Sequence, residues 1–263
     1  MSRVVRWLRA RSGTFLIAGG IVAAWYLLAA SLNSTVFPTP VASLPTLAEN
    51  FSRPSFRDSV LNSLELLAIS YALCVVAGSV VGFCIGLLPF WKDALSPIVY
   101  AIYSIPKVTL YPIFLLLLGV GDISRIGFAF VHGFIPMVLI VMGATSSIAP
   151  IYLKLAASVR MGMLSLMRRI LIPSILPALS TGMRLSFGLT FLGLILAEMF
   201  SGSTGLGYEL LRNVTLVRMG DIVGQVVLVA VIALVPTGLL QFAERRIHRR
   251  YEGGSPTLGQ AAL

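Results

Sequence analysis

The sequence predicts an all-α, polytopic membrane protein with six transmembrane helices. Three observations carry this. First, the chain is 57% hydrophobic and 11% charged, against roughly 25% charged in an average soluble domain. That is too little charge to give 263 residues a polar exterior. Second, the apolar residues fall in long uncharged blocks. A helix rising ~1.5 Å per residue needs about 20 of them to cross ~30 Å of hydrocarbon. Third, the basic residues behind the net charge of +10 stand at the ends of those blocks. This is a membrane-topology pattern rather than a basic nucleic-acid-binding face, and no nucleic-acid partner is expected.

Each block predicts one span. Thr14–Ala30 follows Arg3, Arg6, Arg9 and Arg11. It exceeds the ~7–15 apolar residues of a secretory signal, so it reads as a retained first span, with cleavage as the alternative. The second block, Leu66–Trp91, carries Gly78, Gly82 and Gly86 at four-residue spacing, a pattern that admits a neighbouring helix closely. Its two cysteines, Cys74 and Cys84, lie about 15 Å apart along a helix and read as small hydrophobes, not a disulfide. The third block, Ala94–Gly121, contains Pro106, Lys107 and Pro112. Proline removes a backbone donor, so a broken or bent span beside a cavity is expected. The fourth is Ile126–Leu153, with His132 inside it. The fifth is Leu185–Ala197, closed by Glu198, and it extends back through 179–184 if Arg184 snorkels to the interface. The sixth is Ile222–Ala243.

Orientation follows from Lys and Arg. With six spans and a cytoplasmic N-terminus, the inner segments hold 14 of the 20 basic residues and the outer segments 5. Both termini are therefore expected inside; five spans would put the Arg245–Arg250 cluster outside. Residues 31–61, with four prolines, read as an outer loop with a short surface helix. The expected organisation is an N-terminal tail, first helix and periplasmic loop over 1–61, a transmembrane domain over 62–246, and a C-terminal tail over 247–263.

No catalytic constellation emerges. The chain has no GxxxxGK[ST] phosphate loop and no HExxH, and its two histidines, His132 and His248, lie far apart in sequence. No catalytic residue, cofactor or metal is expected in this chain. The segment Ile151–Pro177 carries the strongest signal. It reads as a short helix with small Ala156, Ala157 and Ser158, a turn, and a second helix ended by Pro173 and Pro177. Small residues suit close docking into a partner's groove; an interfacial amphipathic helix without a partner is the competing reading.

That segment resembles the signature loop of the membrane subunits of bacterial ABC importers, the binding-protein-dependent permeases. The proline pair Pro173 and Pro177, with Ile170 and Ile172 before it, is similar to the branch for nitrate, sulfonate, taurine and bicarbonate. Anchored on Pro173, the family's glutamate falls on Lys154, its two alanines on Leu155 and Ala156, and its glycine on Arg160. Matching Ala156, Ala157 and Gly162 instead makes the loop two residues shorter. The leading glutamate is absent either way. Ser104 to Ile126, with its prolines and glycine-acid turn, resembles the family's third span. Leu196-Ala197-Glu198, followed by Gly202, Gly205, Gly207 and Tyr208, resembles the fifth span and its outer loop.

The resemblance implies a type I ABC importer permease fold in the bacterial cell inner membrane. It implies a second copy of the permease, cytoplasmic ATPase subunits carrying ATP and Mg, and a periplasmic substrate-binding protein. Transport would proceed by alternating access, and the chain itself would not be an enzyme. The loop near 149–177 would couple to the ATPase through Lys154, Leu155, Ala156, Ala157, Ser158, Arg160 and Gly162. The branch implies a small anion as substrate: a sulfonate, nitrate, bicarbonate or aromatic acid.

Three intramembrane groups are candidates for the translocation pathway or gate. Glu198 is a gate acid or an interfacial carboxylate paired with an Arg or a backbone donor. Lys107 lines the cavity and attracts an anion, or it snorkels or pairs with an acid. His132 is a ligand or a hydrogen-bonded packing residue. The runner-up function is a secondary transporter or channel driven by an ion gradient, and a third is an intramembrane enzyme.

Overall fold

The computed structural model describes residues 19–20, 23–31, 39 and 41–251. Its elements are helical, with no strand among the described residues. Most of the first block and the tail beyond Tyr251 lie outside the described residues; 19–20 and 23–31 are helical and belong to α1. The expected surface helix follows as α2 (Ser43–Ser52). It is tied to the last helix by the Thr46 hydroxyl donating to the Gly220 carbonyl and by Asn50 donating to Asp221 at 2.8 Å.

The long elements are α3 (Pro54–Leu87), α6 (Asp122–Ser146), α9 (Ile172–Ser201) and α11 (Met219–Tyr251). Four helices are long and apolar enough to cross a membrane, and a bent pair gives a fifth. The remaining expected span, the first block, falls on the partly described α1. One expected span boundary shifts. The second block breaks at Leu88, before Trp91, because Pro89 forces the residue ahead of it into an extended conformation. The domain limits at 61/62 and 246/247 fall inside α3 and α11, which are continuous through them.

The third block bends, as its prolines predict. α4 (Pro89–Ser104) ends at Ile105, a 3-10 turn covers Lys107–Leu110, and α5 (Tyr111–Leu118) leaves at 87° to α4. The fifth block departs from expectation. Pro173 and Pro177 do not end a helix: α8 (Met163–Leu166), a π turn (Met167–Leu171) and α9 run together as one 39-residue span. Pro173 follows directly on the π turn, where the α-helical bonding pattern it would otherwise break has already changed. The wider i→i+5 turn ahead of it absorbs the register change.

The core is a three-helix sandwich in which α6 packs between α3 and α9. The glycine row explains how close the helices come. A Cβ on Gly78 would lie 2.8 Å from Met137, and on Gly82 or Gly86 it would lie 2.7 Å from the carbonyls of Val138 and Met142. Cys74, Met137, Val141 and Ile175 fill the space beside this crossing. By contrast, α4 has no buried residue and α11 buries only Gly224, Gln225 and Glu244. Most apolar side chains of α4 are exposed, whereas Leu228, Val229, Ile232, Ala233 and Leu240 of α11 pack half-buried against the core and most of the rest face outward.

Candidate functional site: a polar cage and an exposed loop

At the α9–α10 end of the bundle, Glu198 has no solvent-exposed surface. Its Oε1 accepts from the Ser63 hydroxyl of α3 at 2.7 Å, and its Oε2 accepts from the Gly207 N–H at 2.8 Å. The Ser63 oxygen in turn accepts the Leu206 N–H at 2.8 Å. These bonds seat the start of α10 (Leu206–Thr215) against α3 and α9. Glycine is required at this seat. Gly205 has φ +114, and a Cβ there would lie 2.5 Å from the Glu198 carboxyl carbon; on Gly207 it would lie 2.3 Å from the Ile195 carbonyl oxygen.

The cage has a cationic neighbour that sequence reasoning counted only as an outer-loop charge. Arg125 is 4% exposed. Its guanidinium pairs with Asp122 at 2.7 Å and donates to the Thr204 carbonyl at 3.1 Å and to Asn62 at 3.4 Å. It therefore joins α6 and α3 to the loop before α10. The signal was present: an acid and a base three residues apart at a helix start lie on one face, and Asp122 also suits the helix N-terminus. Glu198 is thus paired within the bundle and has no exposed surface in this chain.

The other two pathway candidates lie apart from it. His132 is buried in α6, its Nδ1 at 3.0 Å from the Phe128 carbonyl and its ring edge-to-face on Phe128 at 4.4 Å. A Cβ on Gly193 would come within 2.7 Å of its ring, so the imidazole fills the α6–α9 crossing as a packing residue. Lys107 sits at the bend between α4 and α5. Its ammonium donates to the Tyr103 carbonyl at 3.1 Å and lies 4.6 Å above the Tyr103 ring. It satisfies the carbonyl end of α4, where cations are favoured.

At the opposite end, α7 (Pro150–Ser158) and α8 form the expected loop. Lys154, Leu155, Ala157, Ser158, Arg160 and Gly162 are exposed, and Ala156 alone of the seven is buried. A large residue at Ala156 therefore acts through the loop's own packing, whereas Ala157 faces outward. The exposed apolar set includes Leu155, Val159, Met163 and Leu164, each more than half exposed. The helix closes with a reverse turn: the Met161 N–H donates to the Ala156 carbonyl at 2.9 Å and the Arg160 N–H to the Ala157 carbonyl at 3.0 Å. In that motif the penultimate residue is left-handed and usually glycine. Here it is Arg160, at φ 49, whereas Gly162 is extended at φ −63.

Arg184 does not reach outward as expected. Its Nε lies 2.5 Å from Glu244 of α11, and the Thr181 hydroxyl donates to the same carboxylate at 2.6 Å. Glu244 lies 60 residues away in sequence.

Residues 75–253 match the family described as binding-protein-dependent transport system inner membrane component. The chain is 24% identical to the taurine transport system permease protein of Escherichia coli over 93% of its length and 91% of that protein's. It is 24% identical to the nitrate import permease protein of Leptolyngbya laminosa, covering 85% of this chain and 82% of that one. Among solved structures, a chain of the inward-facing MetNI methionine ABC transporter superposes with a TM-score of 0.59 at 21% identity, over 74% of this chain and 94% of that one.

Proposed function

Because the chain belongs to the inner membrane component family of binding-protein-dependent transport systems, we propose that it is one permease half of an ATP-driven importer of small anions. The multi-pass fold in the inner membrane and the permease role follow from that membership. The rest is our reading. Two copies form the path, cytoplasmic ATPase subunits holding ATP and Mg drive it, and a periplasmic binding protein delivers the substrate. Both termini lie inside, by the 14-to-5 distribution of basic residues. The transport unit runs from about Pro54 to Tyr251, the span of continuous packed helices.

The single observation that carries the coupling role is the α7–α8 loop. It stands at the basic end of the bundle and presents Leu155, Val159, Met163 and Leu164 to water. Apolar side chains clustered outside the hydrocarbon mark a protein interface, and a short helix fits a groove on the ATPase. Lys154, Leu155, Ala157, Ser158, Arg160 and Gly162 are its contact residues, and Ala156 is its internal wedge. Glu198 and His132 hold the bundle together, and Lys107 marks the bend beside the path. A sulfonate, nitrate, bicarbonate or aromatic acid fits the branch, and relatives named for taurine and nitrate support that class.

Expression with the neighbouring genes tests this. The expected product is a complex containing ATPase subunits, whose hydrolysis rises with the loaded binding protein. Ala157→Trp is expected to reduce that stimulation roughly tenfold, a loss of ~1.4 kcal/mol of coupling, while insertion and thermal stability stay unchanged. Transport by the lone chain that survives ATP depletion and collapses with the proton gradient would overturn the reading in favour of a secondary transporter.

A further inference from the structure

Two cavities lie end to end along one face of α11. The first, about 370 Å³, is walled by Leu67, Ala68 and Tyr71 of α3, Phe187 of α9, and Pro236 and Leu240 of α11. Its one phenol is already committed, since the Tyr71 hydroxyl donates to the Met183 carbonyl at 3.0 Å. The second, about 390 Å³, is walled by Arg184 of α9 and by Glu244, Arg245, His248 and Arg249 of α11.

The spacing makes them one groove. Pro236, Leu240, Glu244 and His248 recur every four residues, so they form a single stripe along α11. On the facing helix, Arg184 and Phe187 stand one turn apart, again with the charge toward the loop end of the bundle. An apolar trough therefore runs directly into a basic cleft. The cleft's acid is consumed internally, because Glu244 is held by Arg184 and Thr181. Among the described residues neither Arg245 nor Arg249 has an acidic partner, and both are exposed. Arg246 is turned elsewhere, onto the Phe242 ring at 4.8 Å.

We propose that this face of α11 binds one anionic phospholipid, with an acyl chain in the apolar trough and the phosphate held by Arg245 and Arg249. A chain that is apolar for most of its length and anionic at one end matches both cavities in order, and basic pockets at the ends of membrane helices recognise such headgroups. The nine steps from Leu240 to Arg249 rise about 13 Å along the helix, enough to carry the ligand from hydrocarbon to the interface. A free phosphate would fill only the cleft. A second copy docked here about a two-fold axis would set the two Arg245–Arg250 runs against each other. The proposal rests on α11 crossing the bilayer, not on what the protein transports, so a failed transport assay and a failed lipid assay are separate results.

Native mass spectrometry of the delipidated full-length protein in its complex, titrated with phosphatidylglycerol or phosphatidylcholine of matched chains, tests this. The expected result is tighter phosphatidylglycerol binding by roughly tenfold, abolished in Arg245→Gln/Arg249→Gln and kept in Arg246→Gln. Ala68→Phe, which narrows the trough at an exposed position, is expected to weaken both lipids. Excess inorganic phosphate should leave the lipid bound. Equal affinity for the two lipids in the unaltered protein would overturn the proposal. So would a preference that survives the double substitution, displacement by phosphate alone, or a crosslink placing a second copy over Leu240.

Discussion

At one end of the 39-residue span that includes α9, the polar groups satisfy one another; at the other end they face water. The Glu198 cage closes each hydrogen bond over a few ångströms and needs glycine at two positions to do so. The α7–α8 loop has one buried residue among its seven candidate contacts and carries Arg160 in a conformation that glycine adopts more easily. The difference teaches where each end takes its shape from. The cage is fixed by contacts within the chain, so its residues report on folding. The loop is shaped by its own turn and left open, so its residues would report on the proposed docking rather than on folding.

Substitutions at the two ends should separate accordingly. The largest effect is expected for Gly207→Val, because its Cβ would press against the Ile195 carbonyl and the Glu198 side chain; the protein should not reach a folded, detergent-stable state. Next is Glu198→Ala, which strands the Ser63 hydroxyl and the Gly207 N–H and leaves a void. It is expected to cost about 3 kcal/mol, read as loss of thermal stability in detergent. A stable Glu198→Ala protein that transports poorly would instead return Glu198 to the pathway. His132→Leu should cost about 1 kcal/mol, one neutral hydrogen bond, with transport retained. Lost transport at full stability would identify a ligand rather than a packing group. Arg160→Gly should raise stability by about 0.5 kcal/mol, since relief of left-handed strain is partly offset by the entropy glycine loses on folding. A measured destabilisation would mean that the Arg160 side chain makes a contact this turn does not require. The smallest effect is Lys107→Gln, within about 0.5 kcal/mol, because its bonds are local and partly exposed.

The sequence displays its span lengths, the glycine contact row and the bend at Pro106 because each depends on neighbouring residues in the chain. It hides the cage partners. Ser63 lies 135 residues before Glu198, and nothing in the local pattern of either points to the other. Arg184 misleads for the same reason, since a lone arginine at a span's end reads as snorkelling until Glu244 arrives from α11. Pro173 and Pro177 mislead differently. Proline signals a stop when the preceding turn is α-helical, and here a π turn makes room for the helix to continue. The turn at Arg160 is hidden too, because arginine itself gives no sign of a left-handed backbone.

The continuity of that π-bridged span has a mechanical consequence. At ~1.5 Å per residue, Met163–Ser201 is roughly 58 Å long, about twice the hydrocarbon thickness. One continuous helical run thus begins in the exposed loop and ends in the glycine-lined seat, with the π turn and Pro177 both near its loop end. On the proposed coupling role, a displacement of Met163 would meet no loop before Ser201, and the π turn at Met167–Leu171 would be the place to look for bending.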